Sequence, residues 1–158
     1  MAAELDLTRL RRAIAVSQAA RDHGNHPFGA VLTGPDGEVV LEAENTVTTD
    51  DDLTCHAETN LVRLATRAIS HADLARHTLY TSCEPCAMCA GAIYWAGIGR
   101  VVYGLSEAGL LEVAGEDPEH PMLMHPCRAV FEDGGRETTV TGPLIEDEAA
   151  APHRDFWS

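Results

Sequence analysis

Apolar side chains recur at three- and four-residue intervals near the N-terminus, at Leu7, Leu10 and Ile14, with Ser17 in phase, and Gly24 stands where such a helix would stop. The spacing predicts a helix over about 5–23. Phe28–Thr33 and Val39–Glu44 then read as strands, and Gly34-Pro35-Asp36-Gly37 between them is a turn signal, so the two should form a hairpin. Leu61, Leu64, Ala65 and Ala68 fall at i, i+3, i+4 and i+7, which predicts a helix over Thr54–Ile69 capped by Thr54 or Asp52. Thr78–Ser82 reads as a short strand, and Pro85 suits the first position of a helix running to about Trp95. Val101–Tyr103 and Thr138–Thr141 read as further strands. A last helix starts near Glu146, and the tail ends in Phe156-Trp157. The stretch 105–135 is rich in Pro, Gly and acid and shows no clear period. Strands alternating with helices predict an α/β layered fold, and 158 residues suit one domain, 1–158, with a sizeable core.

Composition narrows the function classes. No apolar run is long enough to cross a bilayer. Met1-Ala2-Ala3-Glu4 lacks the basic-then-apolar pattern of a signal peptide, so a cytoplasmic location is expected. The formal net charge is −14, every basic residue is arginine, and few arginines follow Gly104. Proteins that grip nucleic acid through phosphates usually show a basic stripe, so a polynucleotide partner is disfavoured and a small molecule favoured. The absence of lysine excludes Schiff-base chemistry. Of five cysteines, three lie in Cys83-x-x-Cys86-x-x-Cys89, a cluster that in a reducing compartment signals metal binding or catalysis.

The chemistry is concentrated in Cys55-His56-Ala57-Glu58 and Pro85-Cys86-Ala87-Met88-Cys89. A histidine, a glutamate two residues on, and a later Pro-Cys-x-x-Cys form the signature of zinc deaminases that remove an exocyclic amine from a nucleobase. Catalytic zinc takes three protein ligands and leaves a fourth position for water; His56, Cys86 and Cys89 supply the three. The start of a helix also favours thiolate over thiol. Glu58 is the general acid/base, taking a proton from the water and passing it to a ring nitrogen. Residues i and i+2 of an ideal helix face apart, so His56 and Glu58 can share a pocket only off the helix end. A structural zinc knuckle is the competing reading of Cys-x-x-Cys and would want a fourth ligand, from Cys83, Cys55 or a second histidine. An iron–sulfur cluster lacks its fourth cysteine, since position 93 is isoleucine. Cys83 reads as a buried strand residue, and Cys55 and Cys127 as small apolar filler.

With these motifs the chain resembles the cytidine-deaminase-like superfamily. It is most similar to the branch of guanine deaminases, fungal-type cytosine deaminases and tRNA adenosine deaminases. The matching stretches are His26-Pro27-Phe28-Gly29-Ala30, Glu44-Asn45, the two zinc motifs with Tyr80–Trp95 around the second, and Val101–Gly104. They cover a zinc core of about residues 5–105, leaving 106–158 as a C-terminal cover and pocket rim. The resemblance implies a three-layer α/β/α fold around a five-stranded mixed sheet, one zinc per subunit, and a homodimer. It implies that Phe28 packs against the base, that Asn45 bonds a ring edge, and that the backbone at Ala57 contacts the substrate. Phe156 and Trp157, with His153, are candidates for an aromatic lid. In guanine deaminases an acid six residues after the tyrosine matching Tyr103 reads the 2-amino group; this chain has Gly109 there, and Glu107 is the nearby substitute. The expected activity is zinc-dependent hydrolytic deamination of a nucleobase or nucleoside, a purine such as guanine or a relative of it. The alternatives are a cytosine- or cytidine-type deaminase, a tRNA adenosine deaminase, and a non-catalytic zinc-binding module.

Overall fold

A computed structural model describes all residues 1–158. Its first helix, α1 (Ala2–Asp22), buries Leu10, Ala13, Ser17 and Ala20, one small or medium side chain per turn. Leu7 and Ile14 are only half-buried. The small line lets α1 lie almost on the backbone of β1 (Gly29–Thr33): a Cβ at Gly29 would sit 2.5 Å from both Ala13 O and Ser17 N. Only glycine fits there.

The hairpin forms as expected. β1 pairs antiparallel with β2 (Val39–Glu44), from Gly29 opposite Glu44 to Leu32 opposite Leu41. After β2 come α2 (Ala57–Ala68), the short α3 (His71–Leu74), β3 (Thr78–Cys83) and α4 (Ala87–Ala96). The rest is β4 (Arg100–Leu105), α5 (Glu107–Ala114), α6 (Cys127–Glu132), β5 (Thr139–Thr141) and α7 (Glu146–Ala150), with a 3₁₀ turn at Ala151–His153. The sheet has five strands in the order β2-β1-β3-β4-β5, antiparallel at β2-β1-β3 and parallel at β3-β4-β5. This is the mixed sheet the resemblance implied.

Both faces of the sheet are covered, which explains why every residue of β1 is buried rather than every second one. Ala30, Leu32, Leu79, Val101 and Tyr103 meet Leu61, Ala65 and Ile93 from α2 and α4. Val31, Tyr80 and Val102 meet Leu10 and Ala13 of α1 on the other face. No helix is long and apolar enough to cross a membrane.

Three expectations need correction. Asp52 Oδ1 accepts hydrogen bonds from Thr54 N (2.8 Å) and Thr54 Oγ1 (2.7 Å), so both proposed caps are spent on a turn; the helix starts three residues later, capped by His56. Its buried stripe is Ala57, Glu58, Leu61, Val62 and Ala65, whereas Leu64 and Ala68 face outward. Pro85 lies outside its helix, which Cys86 caps and which ends at Gly97 in the left-handed region (φ 79°). The unread stretch 105–135 contains two helices, α5 and α6.

Candidate active site

Two helix starts meet at the carboxyl end of the parallel strands, where open α/β sheets place their ligands. His56 caps α2 and Cys86 caps α4, so neither belongs to a regular helical turn. Cys89 sits in the first turn of α4 and is fully buried. His56 Nδ1 lies 3.6 Å from Cys86 Sγ and 3.6 Å from Cys89 Sγ, and the three donor atoms all lie within 4.8 Å of one another. Tetrahedral zinc with ordinary Zn–N and Zn–S lengths separates its nitrogen and sulfur donors by about 3.6 Å, so the set fits the ion. The thiols polarise one another. The neighbouring Cys89 sulfur, with help from His56, pulls Cys86 below the usual thiol range despite burial, while the Cys86 sulfur and burial push Cys89 up. Thr59 Oγ1 stands 3.2 Å from Cys89 Sγ and anchors that sulfur from behind.

Glu58 lies on the wall of an adjacent cavity of about 490 Å³. It is 4% exposed, and Thr81 Oγ1 on β3 donates to its Oε1 at 2.5 Å. Burial raises its pKa, and the Thr81 hydrogen bond only partly opposes that. The conflict posed by i, i+2 spacing is thereby resolved. His56 is outside the regular helix, so its ring and the Glu58 carboxyl reach the same cavity.

The remaining predicted residues divide. Phe28, Glu107 and Trp157 line the cavity with His56, Glu58 and Cys86. Trp157 folds back within its own chain, 6.1 Å from the Phe28 ring and 5.1 Å from the His26 ring. Phe156 lies behind it, edge-on to Trp157 at 4.8 Å and with Arg21 over its face, off the cavity wall. Ala57 is fully buried in the main core. Asn45 is 1% exposed; its backbone N–H donates to Phe28 O, its Oδ1 accepts from Val47 N, and no protein acceptor meets its Nδ2. Cys83 and Cys127 are buried free thiols whose pKa values burial pushes up, and Cys55 is a third buried free thiol.

Three wall or support residues were given no role by sequence reasoning, although all lay inside the matching stretches: His26, Thr81 and Glu84. Glu84 accepts from Glu107 N at 3.2 Å with one carboxylate oxygen and from Cys127 N at 3.0 Å with the other. It therefore ties α5 and α6 to the end of β3. Glu107 is 8% exposed, its Oε1 is buried without a partner, and burial together with the nearby Glu84 charge raises its pKa. The wall carries Asp117 besides these glutamates and no arginine.

The cytidine and deoxycytidylate deaminase zinc-binding region matches residues 3–105. A probable cytosine deaminase of Schizosaccharomyces pombe is 47% identical over 154 residues, 98% of this chain and 93% of its own. A guanine deaminase of Bacillus subtilis is 40% identical over 111 residues, 70% of each chain. A solved guanine deaminase from Nitrosomonas europaea superposes with a TM-score of 0.76 at 27% identity, over 92% of this chain and 80% of its own.

Proposed function

The chain belongs to the cytidine and deoxycytidylate deaminase zinc-binding family, zinc-dependent hydrolases of C–N bonds, and from that premise we propose that it removes the exocyclic amine of a free, unphosphorylated nucleobase or nucleoside, guanine or a related aminated purine. One observation carries the reading: a 490 Å³ cavity joins the His56/Cys86 corner and buried Glu58 to the rings of Phe28 and Trp157, with acids and no arginine in its wall. Away from the metal corner a phosphate would find no arginine or lysine and would face the carboxylates of Glu84, Glu107 and Asp117, while an uncharged ring bearing N–H donors finds acceptors. The volume is ample for a bicyclic ring and lies within the usual range for small-molecule sites.

His56, Cys86 and Cys89 would hold the zinc. When bound, the ion lowers the pKa of a water toward neutrality and makes it a nucleophile at neutral pH. Glu58, fixed by Thr81, would take a proton from the attacking water and deliver it to a ring nitrogen. A raised pKa suits that task, because a weakly basic carboxylate would not hold the proton long enough to pass it on. Phe28 and Trp157 orient the ring, and the unpartnered Oε1 of Glu107 accepts from a ring or amino N–H. Asn45 lies off the described cavity wall, and its uncommitted Nδ2 is the donor assigned to the opposite edge on the strength of the family resemblance.

A cytosine-type activity is the second reading, favoured by the 47% identity to the probable cytosine deaminase of S. pombe. The test is ammonia release by zinc-loaded protein on guanine, isoguanine, adenine, cytosine and their nucleosides. Turnover of one or two purines is expected. Turnover of cytosine alone selects the second reading, and no turnover with zinc bound overturns the small-molecule assignment. We further propose a homodimer with one zinc per subunit. Trp95 on α4 meets only the Tyr94 ring, edge-on at 5.4 Å, and is otherwise 77% exposed, which suits it to a subunit contact; sedimentation at a single protomer mass would contradict this.

A further inference from the structure

The aromatic tail has its own anchor. His153 ends the 3₁₀ turn after α7, is fully buried, and neither lines the cavity nor touches a metal ligand. Its Nδ1 accepts the indole N–H of Trp157 at 3.1 Å. The single proton of the neutral ring therefore sits on Nε2, which faces Cys83 Sγ at 3.4 Å. The imidazole and indole planes are nearly parallel, 12° apart at 6.1 Å, and the imidazole meets the Phe28 ring in a T-shaped contact at 5.1 Å. One buried ring thus touches both aromatic walls of the cavity and bonds the one that arrives last in the chain.

We propose that His153 is a positioning residue that latches Trp157 against the Phe28 side of the cavity, so that the closed aromatic wall requires a free Nδ1 lone pair. A proton on Nδ1 leaves the indole N–H without its acceptor and places an unpaired cation among apolar rings. The charged and titratable groups facing the imidazole agree with a neutral ring. From α1, Arg21 donates to Pro152 O and Arg154 O and repels added positive charge. From β3 comes the buried Cys83 thiol, with Glu58 beyond it, and His26 lies beyond Trp157. On α7, Glu148 is engaged by Arg11 and Glu146 by Ser106, so neither is free to stabilise an imidazolium. Burial, reinforced by Arg21, holds His153 down to about 4. The sign follows. The latch is fully closed above the ordinary histidine value of 6.5 and loosens as pH falls toward about 4.

The inference depends on the proposed function only for its kinetic arm. The protein has two tryptophans, so a Trp95→Phe background isolates Trp157 fluorescence with no substrate present. In that background Trp157 is expected to be shielded from acrylamide at neutral pH and to become accessible as pH falls from about 6.5 toward 4. His153→Asn, whose Oδ1 can accept the indole N–H where Nδ1 does, should keep Trp157 shielded at neutral pH and abolish its pH response. His153→Phe should expose Trp157 already at neutral pH. With a turned-over substrate, His153→Phe should raise KM about 5- to 10-fold with little change in kcat, the size expected for losing one buried hydrogen bond, and His153→Asn should restore it. If Trp157 stays shielded in His153→Phe, or if His153→Asn retains the wild-type pH response, the indole is held by packing alone and the latch is wrong. If the fluorescence behaves as expected but no base is turned over, the latch stands and the substrate assignment fails.

Discussion

Thr81 shows how a single hydroxyl shapes the site. It donates to Glu58 Oε1 and sits on β3 with no exposure at all, so its partner is fixed by the sheet rather than by a loop. Thr81→Val keeps the shape and removes the donor. The expected result is a fall in kcat of about tenfold at unchanged zinc content, the scale of one buried hydrogen bond to a charged group; an unchanged kcat would show that Glu58 is placed without Thr81. The proposed metal ligands should behave differently. Cys86→Ala or Cys89→Ala removes one of three donors, and the protein should purify without stoichiometric zinc. Full occupancy by metal analysis in either variant would mean the ligand set is wrong.

Asp6 is the corresponding pivot among the elements. Lying on α1, it accepts from Tyr80 Oη on β3 at 2.8 Å and from two Arg100 nitrogens on β4 at 2.9 and 2.7 Å, fastening helix to sheet. Burial pushes its pKa up, but the Arg100 and Tyr80 hydrogen bonds outweigh that and hold it below the usual carboxylate range. Its contribution is therefore present above the ordinary value of 3.8 and is lost as pH falls through the lowered one. Asp6→Ala should cost about 3 kcal/mol at neutral pH in urea unfolding, because it leaves Arg100 half-buried and unpaired, and the deficit should shrink in acid. A deficit that persists undiminished well below pH 3.8 would assign it to packing instead. None of this long-range wiring is visible in the local pattern of the chain. Helix α1, the hairpin and the zinc motifs were legible because each is written within about twenty consecutive residues. The starts of α2 and α4 lie later than the local pattern suggests because Asp52 and Thr54 bond each other and because Cys86, one residue after Pro85, takes the cap, leaving the proline outside the helix it was expected to begin. Helix α6 has no side-chain cap of its own and takes its first N–H acceptor from Glu84, more than forty residues earlier, while α5 has a local Ser106 cap but buries only Glu107, so no apolar period marks it. Glu58 lay within the buried stripe of its helix, where periodicity counts only apolar residues, so Leu64 and Ala68 were put in its place.

At the scale of the whole molecule, charge and cavity agree. A net charge of −14 and a cavity wall without arginine leave little to attract a polyanion. Activity on a free base should change less than about twofold between roughly 50 and 200 mM salt, and added tRNA should not compete; a loss of a hundredfold or more over that range would signal phosphate contacts and a nucleic-acid substrate. The three-layer fold also sets where the site lies. The proposed metal ligands and Glu58 come from two helix starts on one sheet, while the stretch after β4, the tail and the residues flanking β1 and β3 supply the rest of the wall. The central claim is that a metal held by His56, Cys86 and Cys89 works with Glu58 as the proton carrier. Its most direct test measures zinc stoichiometry and ammonia release together in wild type and Glu58→Gln. The account predicts one zinc per chain in both and a loss of turnover of at least about 10²-fold in the variant. Comparable ammonia release by zinc-replete Glu58→Gln would contradict it.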